Sequence, residues 1–176
     1  MATEDMNTAG KVFFSSPRFA VAGASSEPHK FGYKSTPGHQ SPTVITYSSI
    51  TVFDWYLSRG ITPTPLNPNS SSVSVRKSSF PTRPSPSALE QPEQTSLSVI
   101  TPPAVTAKLL REAKQVGVKA VWLQPGSFND EVLDYAKKAF PGATVGGEGG
   151  GGGEGWCVLV DGDWAMAQAG RKDGKL

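Results

Sequence analysis

Residues 21–32 read VAGASSEPHKFG and carry the residue types that can hold a phosphate ester. Gly23 lets the chain turn sharply at the end of an apolar run, Ser25 and Ser26 offer hydroxyls and backbone donors, and Lys30 brings a positive charge. Together they could cradle a diphosphate. A strand-to-helix turn with a surface lysine would have the same composition, and the local pattern does not choose between the two. The stretch matches neither GxGxxG nor GxxxxGK[ST], so both familiar nucleotide signatures fail.

Nucleophilic catalysis would need a base beside Ser25 or Cys157. The chain has two histidines, His29 in the same loop and His39 in an uncharged stretch, and the plainer reading of His29 is an exposed loop residue. Cys157 is the single cysteine, so it cannot form an internal disulfide; it reads as a small buried strand residue. No CxxC or HxxxH set is present, and a metal site is not expected. Asp130, Glu131 and Asp134 read as the solvated face and first turn of a helix, not as a catalytic pair. Trp122, Trp156 and Trp164 read as packing residues. No catalytic residue is assigned.

The elements that must position the loop follow from hydrophobic periodicity. FAVAGAS, 19–25, has the near-continuous apolar character of a strand buried on both faces. VFDWYLSRG, 52–60, is apolar at helical spacing and ends at Gly60, a suitable cap. ITPTPLNP, 61–68, reads as a second strand, although Pro63 and Pro65 each remove a ladder donor. Residues 69–94 are rich in Ser and Pro and read as an irregular connector with a short strand near Val73–Val75. TSLSVIT, 95–101, is the third strand. PPAVTAKLLREAKQVG is its helix, with Val105, Leu109, Ala113 and Val116 on the apolar face, Thr101 as cap and Gly117 as terminator. VKAVWLQ, 118–124, is the fourth strand, and SFNDEVLDYAKKAF is a helix opened by a capping box of Ser127 with Asp130. WCVLV, 156–160, is expected as the last strand, before a DGD turn. Between them GGEGGGGGEG, 146–155, is too glycine-rich to hold one conformation without a partner.

This order predicts an α/β fold: a Rossmann-like parallel sheet with helices on both faces, in a single domain. A chain of 176 residues suits one domain with a real core. The organisation expected is an N-terminal extension at 1–16, the domain at 17–165 and a C-terminal tail at 166–176. A net charge of +2, with scattered cations, shows no footprint for nucleic acid, and no apolar run is long enough for a membrane span. The N-terminus lacks a signal-like run, so the expectation is a soluble, cytoplasmic protein, with a mitochondrial location also open.

In such sheets ligands sit beyond the carboxyl ends of the strands, which makes GASSEPHK, LNPN, TPP and QPGS the candidate loops. NAD-binding proteins of this kind place an acid after the second strand to hold the ribose. Asn67-Pro68 stands there instead, which counts against NAD.

Taken in order, GASSEPHKFGYK, LNP, SVITPPAVT, AKQVGVKAVWLQPG and WCVLVDGDW resemble the small stand-alone coenzyme A-binding domain proteins of Rossmann-like fold. Their module is similar to the one at the N-terminus of the succinyl-CoA synthetase α subunit, and the ending GGEGGGGGEGWCVLVDG most resembles fungal members. The resemblance covers about residues 17–34 and 52–165. It implies that coenzyme A or an acyl-CoA, a small nucleotide ligand, is bound without catalysis. Gly23, Ala24, Ser25, Ser26 and Lys30 would line its phosphates. Asn67 and Pro68 would lie at the second strand's edge of the site, Thr101, Pro102 and Pro103 at the third, and Gln124, Pro125 and Gly126 beside the pantetheine path. Arg76 and Lys77 could add to a 3′-phosphate contact, against plain solvation of a connector. Cys157 could approach the CoA thiol, against its reading as a buried strand residue. The synthetases use a phosphorylated histidine in a separate domain, so ligase chemistry does not carry over.

Two departures stand out. STPGHQSPTVITYSSIT, 35–51, has no charged residue other than histidine and no helical period, where the family pattern runs almost directly into the helix; it reads as an insertion. Pro63 replaces an apolar β-former. The readings that remain are a CoA-binding module, an NAD(P)-dependent Rossmann enzyme and a degenerate member with no ligand.

Overall fold

The structure, a computed structural model, describes residues 5–24 and 49–172. Its parallel strands are β1 (Arg18–Ala22), β2 (Thr64–Leu66), β5 (Thr95–Val99), β6 (Ala120–Leu123) and β7 (Thr144–Val145); β3 (Ser72–Val75) and β4 (Ser78–Pro81) form a separate antiparallel hairpin. The sheet order is β2-β1-β5-β6-β7, with Ala22 opposite both Leu66 and Val99, and Val99 opposite Leu123. The expected α/β class therefore holds. The chain direction across the sheet reverses beside β1, which puts the switch point between β1 and β5.

The helices are α1 (Met6–Phe14), α2 (Ser49–Ser58), α3 (Pro103–Val116), α4 (Asp130–Ala139) and α5 (Val158–Gln168). α1, α2 and α5 pack together on one face, and α3 packs with α4 on the other. β1, β5 and β6 are fully buried apart from Arg18, as strands covered on both faces must be. Under α1 and α2 an aromatic cluster of Phe13, Phe14, Phe19, Trp55, Tyr56 and Trp122 fills the core, with ring centroids 5.1 to 6.0 Å apart. The buried strand hydroxyls are paired: Ser96 donates to the Phe13 carbonyl at 2.8 Å, and Tyr56 and Ser98 share a bond of 2.6 Å.

Several sequence expectations are corrected. The N-terminal stretch set apart as an extension contains α1, whose Ala9, Phe13 and Phe14 are fully buried. Asp5 caps it by accepting from the Asn7 N–H, and Thr8 donates to the same carboxylate. WCVLV is not a strand. Cys157 caps α5, the DGD triplet lies inside the helix, and the last strand is the two-residue β7. A short apolar run of this kind fits strand and helix alike; the Ala-Met-Ala-Gln continuation and burial at Val158, Gly162, Ala165 and Met166 give it helical spacing. α5 also reaches into the segment expected as a tail, and Arg171 beyond it is buried.

The caps shift as well. Pro102, not Thr101, precedes α3, and the Asn129 side chain, not that of Ser127, accepts from the Val132 N–H to open α4. Val105 is exposed, and the buried face of α3 runs through Thr106, Leu110 and Ala113. The connector carries core residues: Val73 and Val75 are buried, and Phe80 packs on Phe53 of α2 at 5.1 Å. Ser49, Ile50 and Thr51, read as part of an insertion, are the first turn of α2. Pro65 does stand in a strand, tolerated because β2 is the edge of the sheet.

Candidate functional site

The carboxyl ends of β1, β2, β5 and β6 bring together most of the residues named from sequence. Gly23 takes φ +91 immediately after β1, and its N–H donates to the Leu66 carbonyl at 3.1 Å. A Cβ at this position would stand 2.5 Å from the Ile100 carbonyl oxygen and 3.0 Å from Thr101 Cγ2. The chains leaving β1 and β5 therefore cross at a separation only glycine permits. Ala24 follows, buried, and its carbonyl accepts from Asn67 Nδ2 at 2.8 Å. Asn67 Oδ1 takes the Asn69 N–H at 2.8 Å, so one amide ties the ends of β1 and β2 and shapes the turn through Pro68. Ser25, Ser26 and Lys30 lie outside the described residues, as do His29 and His39.

At the end of β5, the hydroxyls of Thr101 and Thr106 share a bond of 2.8 Å, and Thr106 also donates to the Thr101 carbonyl. This folds the chain back into α3 through Pro102, which is exposed, and Pro103. Pro102 and Pro103 have no N–H, so the prolines remove two donors from this rim of the crevice.

At the end of β6, Gln124 is buried, and both ends of its amide have partners. Its Oε1 accepts from the Val158 N–H at 2.9 Å, and its Nε2 points at Cys157 Sγ at 3.6 Å. Ser127 donates to the Gln124 carbonyl at 2.7 Å, and Gly126 completes the turn at φ +88. Gln124 thus anchors the start of α5, while Pro125 and the exposed Gly126 remain at the surface.

The glycine run finds its partner within the chain, in a residue the sequence reading passed over. Asp161, buried in the first turn of α5, accepts from the Gly151 N–H at 2.7 Å and from the Cys157 N–H at 2.9 Å. The Trp156 indole donates to the Glu148 carbonyl at 3.1 Å, and a Cβ on Gly155 would stand 3.4 Å from Pro125 Cγ. An acid placed six residues after the end of a glycine loop was the only signal available.

The described part of this rim is uncharged. None of the ten described residues assigned to it is titratable, and the perturbed groups lie elsewhere. Burial pushes Tyr56 up, partly countered by Ser98; the Arg59 bond holds Asp163 below its ordinary carboxyl range. At the start of α5 the Cys157 and Val158 N–H groups donate to Asp161 and Gln124, and at the start of α4 the Val132 N–H donates to Asn129. α2 has no acidic residue in its first turn and follows the Gly23 loop in sequence. Arg76 pairs with Asp54 of α2 through Nε and Nη2, so its charge is already engaged. Among the described residues no group of three His, Cys, Asp or Glu could hold a metal ion, and no helix is long and apolar enough to cross a membrane.

A family model described as CoA binding domain matches residues 41–150. The match takes in the ends of β2, β5 and β6 and begins beyond the Gly23 loop. Among solved structures, a hypothetical protein from Pyrococcus horikoshii is 20% identical, with 80% of this chain and 81% of that one covered and a TM-score of 0.56. A protein redesigned for binding gives 20% identity, 79% and 80% coverage and a TM-score of 0.55. A conserved hypothetical protein from Pyrococcus furiosus gives 24% identity, 69% and 86% coverage and a TM-score of 0.51. These three are likenesses of fold. No curated protein matches the chain.

Proposed function

The chain belongs to the CoA binding domain family, and from that premise we propose that it binds coenzyme A or an acyl-CoA in the crevice at the strand ends, as a cytoplasmic, non-catalytic module. The observation that carries the reading is the Gly23 crossing at the switch point, where the backbone of β1 passes Ile100 with no room for a side chain. A bare backbone turn suits a diphosphate, and the described residues of the rim offer no competing carboxylate, Glu27 of the loop lying outside them. Ser25, Ser26 and Lys30 would complete the phosphate contact from the same loop. Pro125 and Gly126 would border the pantetheine, with Gln124 holding the wall behind them through α5. The likeness to the synthetase module extends to binding only.

Thermal-shift titration of the full chain with coenzyme A, 3′-dephospho-CoA and NAD tests this. Ligand at a hundredfold excess over Kd adds about 2.7 kcal/mol of stability. Stabilisation by coenzyme A, weaker with the dephospho form and absent with NAD, is expected. Stabilisation by NAD alone would favour a nicotinamide enzyme, and no shift with any of the three a chain that has lost its ligand. A variant lacking residues 35–48, which leaves α2 intact, tests whether that segment obstructs the crevice.

A further inference from the structure

At the opposite end of the sheet a cleft of about 250 Å³ opens beside the edge strand. Its origin is the shortness of β2. Pro65 has no N–H, so the chain returning from the hairpin touches β2 at the single bridge of Leu66 with Arg83, and below that bridge it stands away from the sheet. The walls are mixed: Pro63, Pro65, Phe80 and Leu89 supply apolar surface, beside threonines and Gln91. The charged groups meet at one point: Arg18 at the start of β1 and Arg83 both reach Glu90, at 3.6 and 3.3 Å.

We propose that this cleft is a second ligand site, for a small monocarboxylate with a flat apolar body. Two guanidinium groups facing one carboxylate leave a single positive charge, which sets the ligand's charge. Glu90 already occupies the carboxylate position, which shows that the two arginines can share such a group. Its side chain is 65% exposed, so it can swing out at small cost. A ligand carboxylate then replaces it between the paired forks, a geometry guanidinium favours, and the body lies against the prolines and Phe80. The cleft lies at the amino ends of the strands, so the site is independent of the crevice at their carboxyl ends.

The test is a titration of the full-length chain with benzoate, followed by amide NMR, with benzamide as the neutral isostere. Saturable shifts at Arg18, Arg83 and Thr95 with benzoate and none with benzamide are expected, unchanged when coenzyme A is present. Glu90→Gln removes the internal competitor and should tighten benzoate by up to about fivefold, the worth of one exposed ion pair. Arg83→Ala should weaken it by at least as much. Equal shifts with benzoate and benzamide, an unchanged affinity in Glu90→Gln, or no saturable shift in either protein would overturn the assignment.

Discussion

Replacing Gly23 by alanine separates the two costs that this position imposes. A residue with a Cβ held at positive φ loses roughly 1–2 kcal/mol. The Cβ would also stand 2.5 Å from the Ile100 carbonyl oxygen, a backbone atom that no rotamer change can move. Overpacking of that kind costs roughly a further 1–3 kcal/mol, for a total of about 2–5 kcal/mol. Gly117 supplies the control: its φ of +83 is similar, but nothing lies within 4 Å of its Cβ position, so Gly117→Ala should lose only the first term. With a urea dependence of about 2 kcal/mol per M, the unfolding midpoint should fall by about 1–2.5 M for Gly23→Ala and by about 0.5–1 M for Gly117→Ala. Coenzyme A affinity, measured calorimetrically at a temperature where both variants are folded, should drop more than about tenfold for the first and stay unchanged for the second. Equal midpoints for the two variants would refute the close crossing of β1 and β5. Full affinity in a folded Gly23→Ala protein would refute the placement of the phosphates.

Further outcomes follow from packing and charge. A Cβ on Gly162 would meet the Trp55 ring at 2.4 and 2.6 Å, so Gly162→Ala should lower the melting temperature by several degrees, and Trp55→Phe should restore part of the loss, read by differential scanning fluorimetry. Asp161→Ala strips acceptors from the Gly151 and Cys157 N–H groups; it should cost about 1–3 kcal/mol in urea melts and open residues 148–155 to limited proteolysis. Arg59 depresses the Asp163 carboxyl below its ordinary 3.8, and a depressed carboxyl stabilises above its unfolded pKa and loses that contribution as pH falls through the folded value. Asp163→Asn should therefore cost about 0.5 kcal/mol near neutral pH, and the gap to the wild type should close as the pH falls below 3.8 in parallel melts. Tyr56 is shifted the other way by burial, so its share of stability should fade above about pH 10, and Tyr56→Phe should show a flatter alkaline limb.

The parallel sheet was legible because β1, β5 and β6 are buried on both faces and so read as continuous apolar runs bounded by turn residues. Gly117 marked the end of α3 because its left-handed φ of +83 leaves few other choices. Elements at the margin were harder. β7 is two residues long, too short for any period, and α5 begins Val-Leu-Val, a strand-like run whose first turn Asp161 and Gln124 engage. α1 was hidden by a polar start, yet Ala9, Phe13 and Phe14 stand at helical spacing. Within the site, sequence order identified the loops but not the work of each side chain. Gln124 and Asn67 carry amides suited to a ligand, and the fold engages both with its own backbone, a tertiary fact that local pattern does not contain.

The brevity of the outer strands bears on how the protein behaves at high concentration. Sheets associate when an edge presents an unbroken row of N–H and carbonyl groups to a neighbour. Here β2 has a proline at its centre and the chain from Arg83 against its end, while β7 has two residues before Gly146. Neither side offers enough consecutive unpaired backbone for another chain to dock as an added strand, so crowding alone should not turn this sheet into a template for filaments.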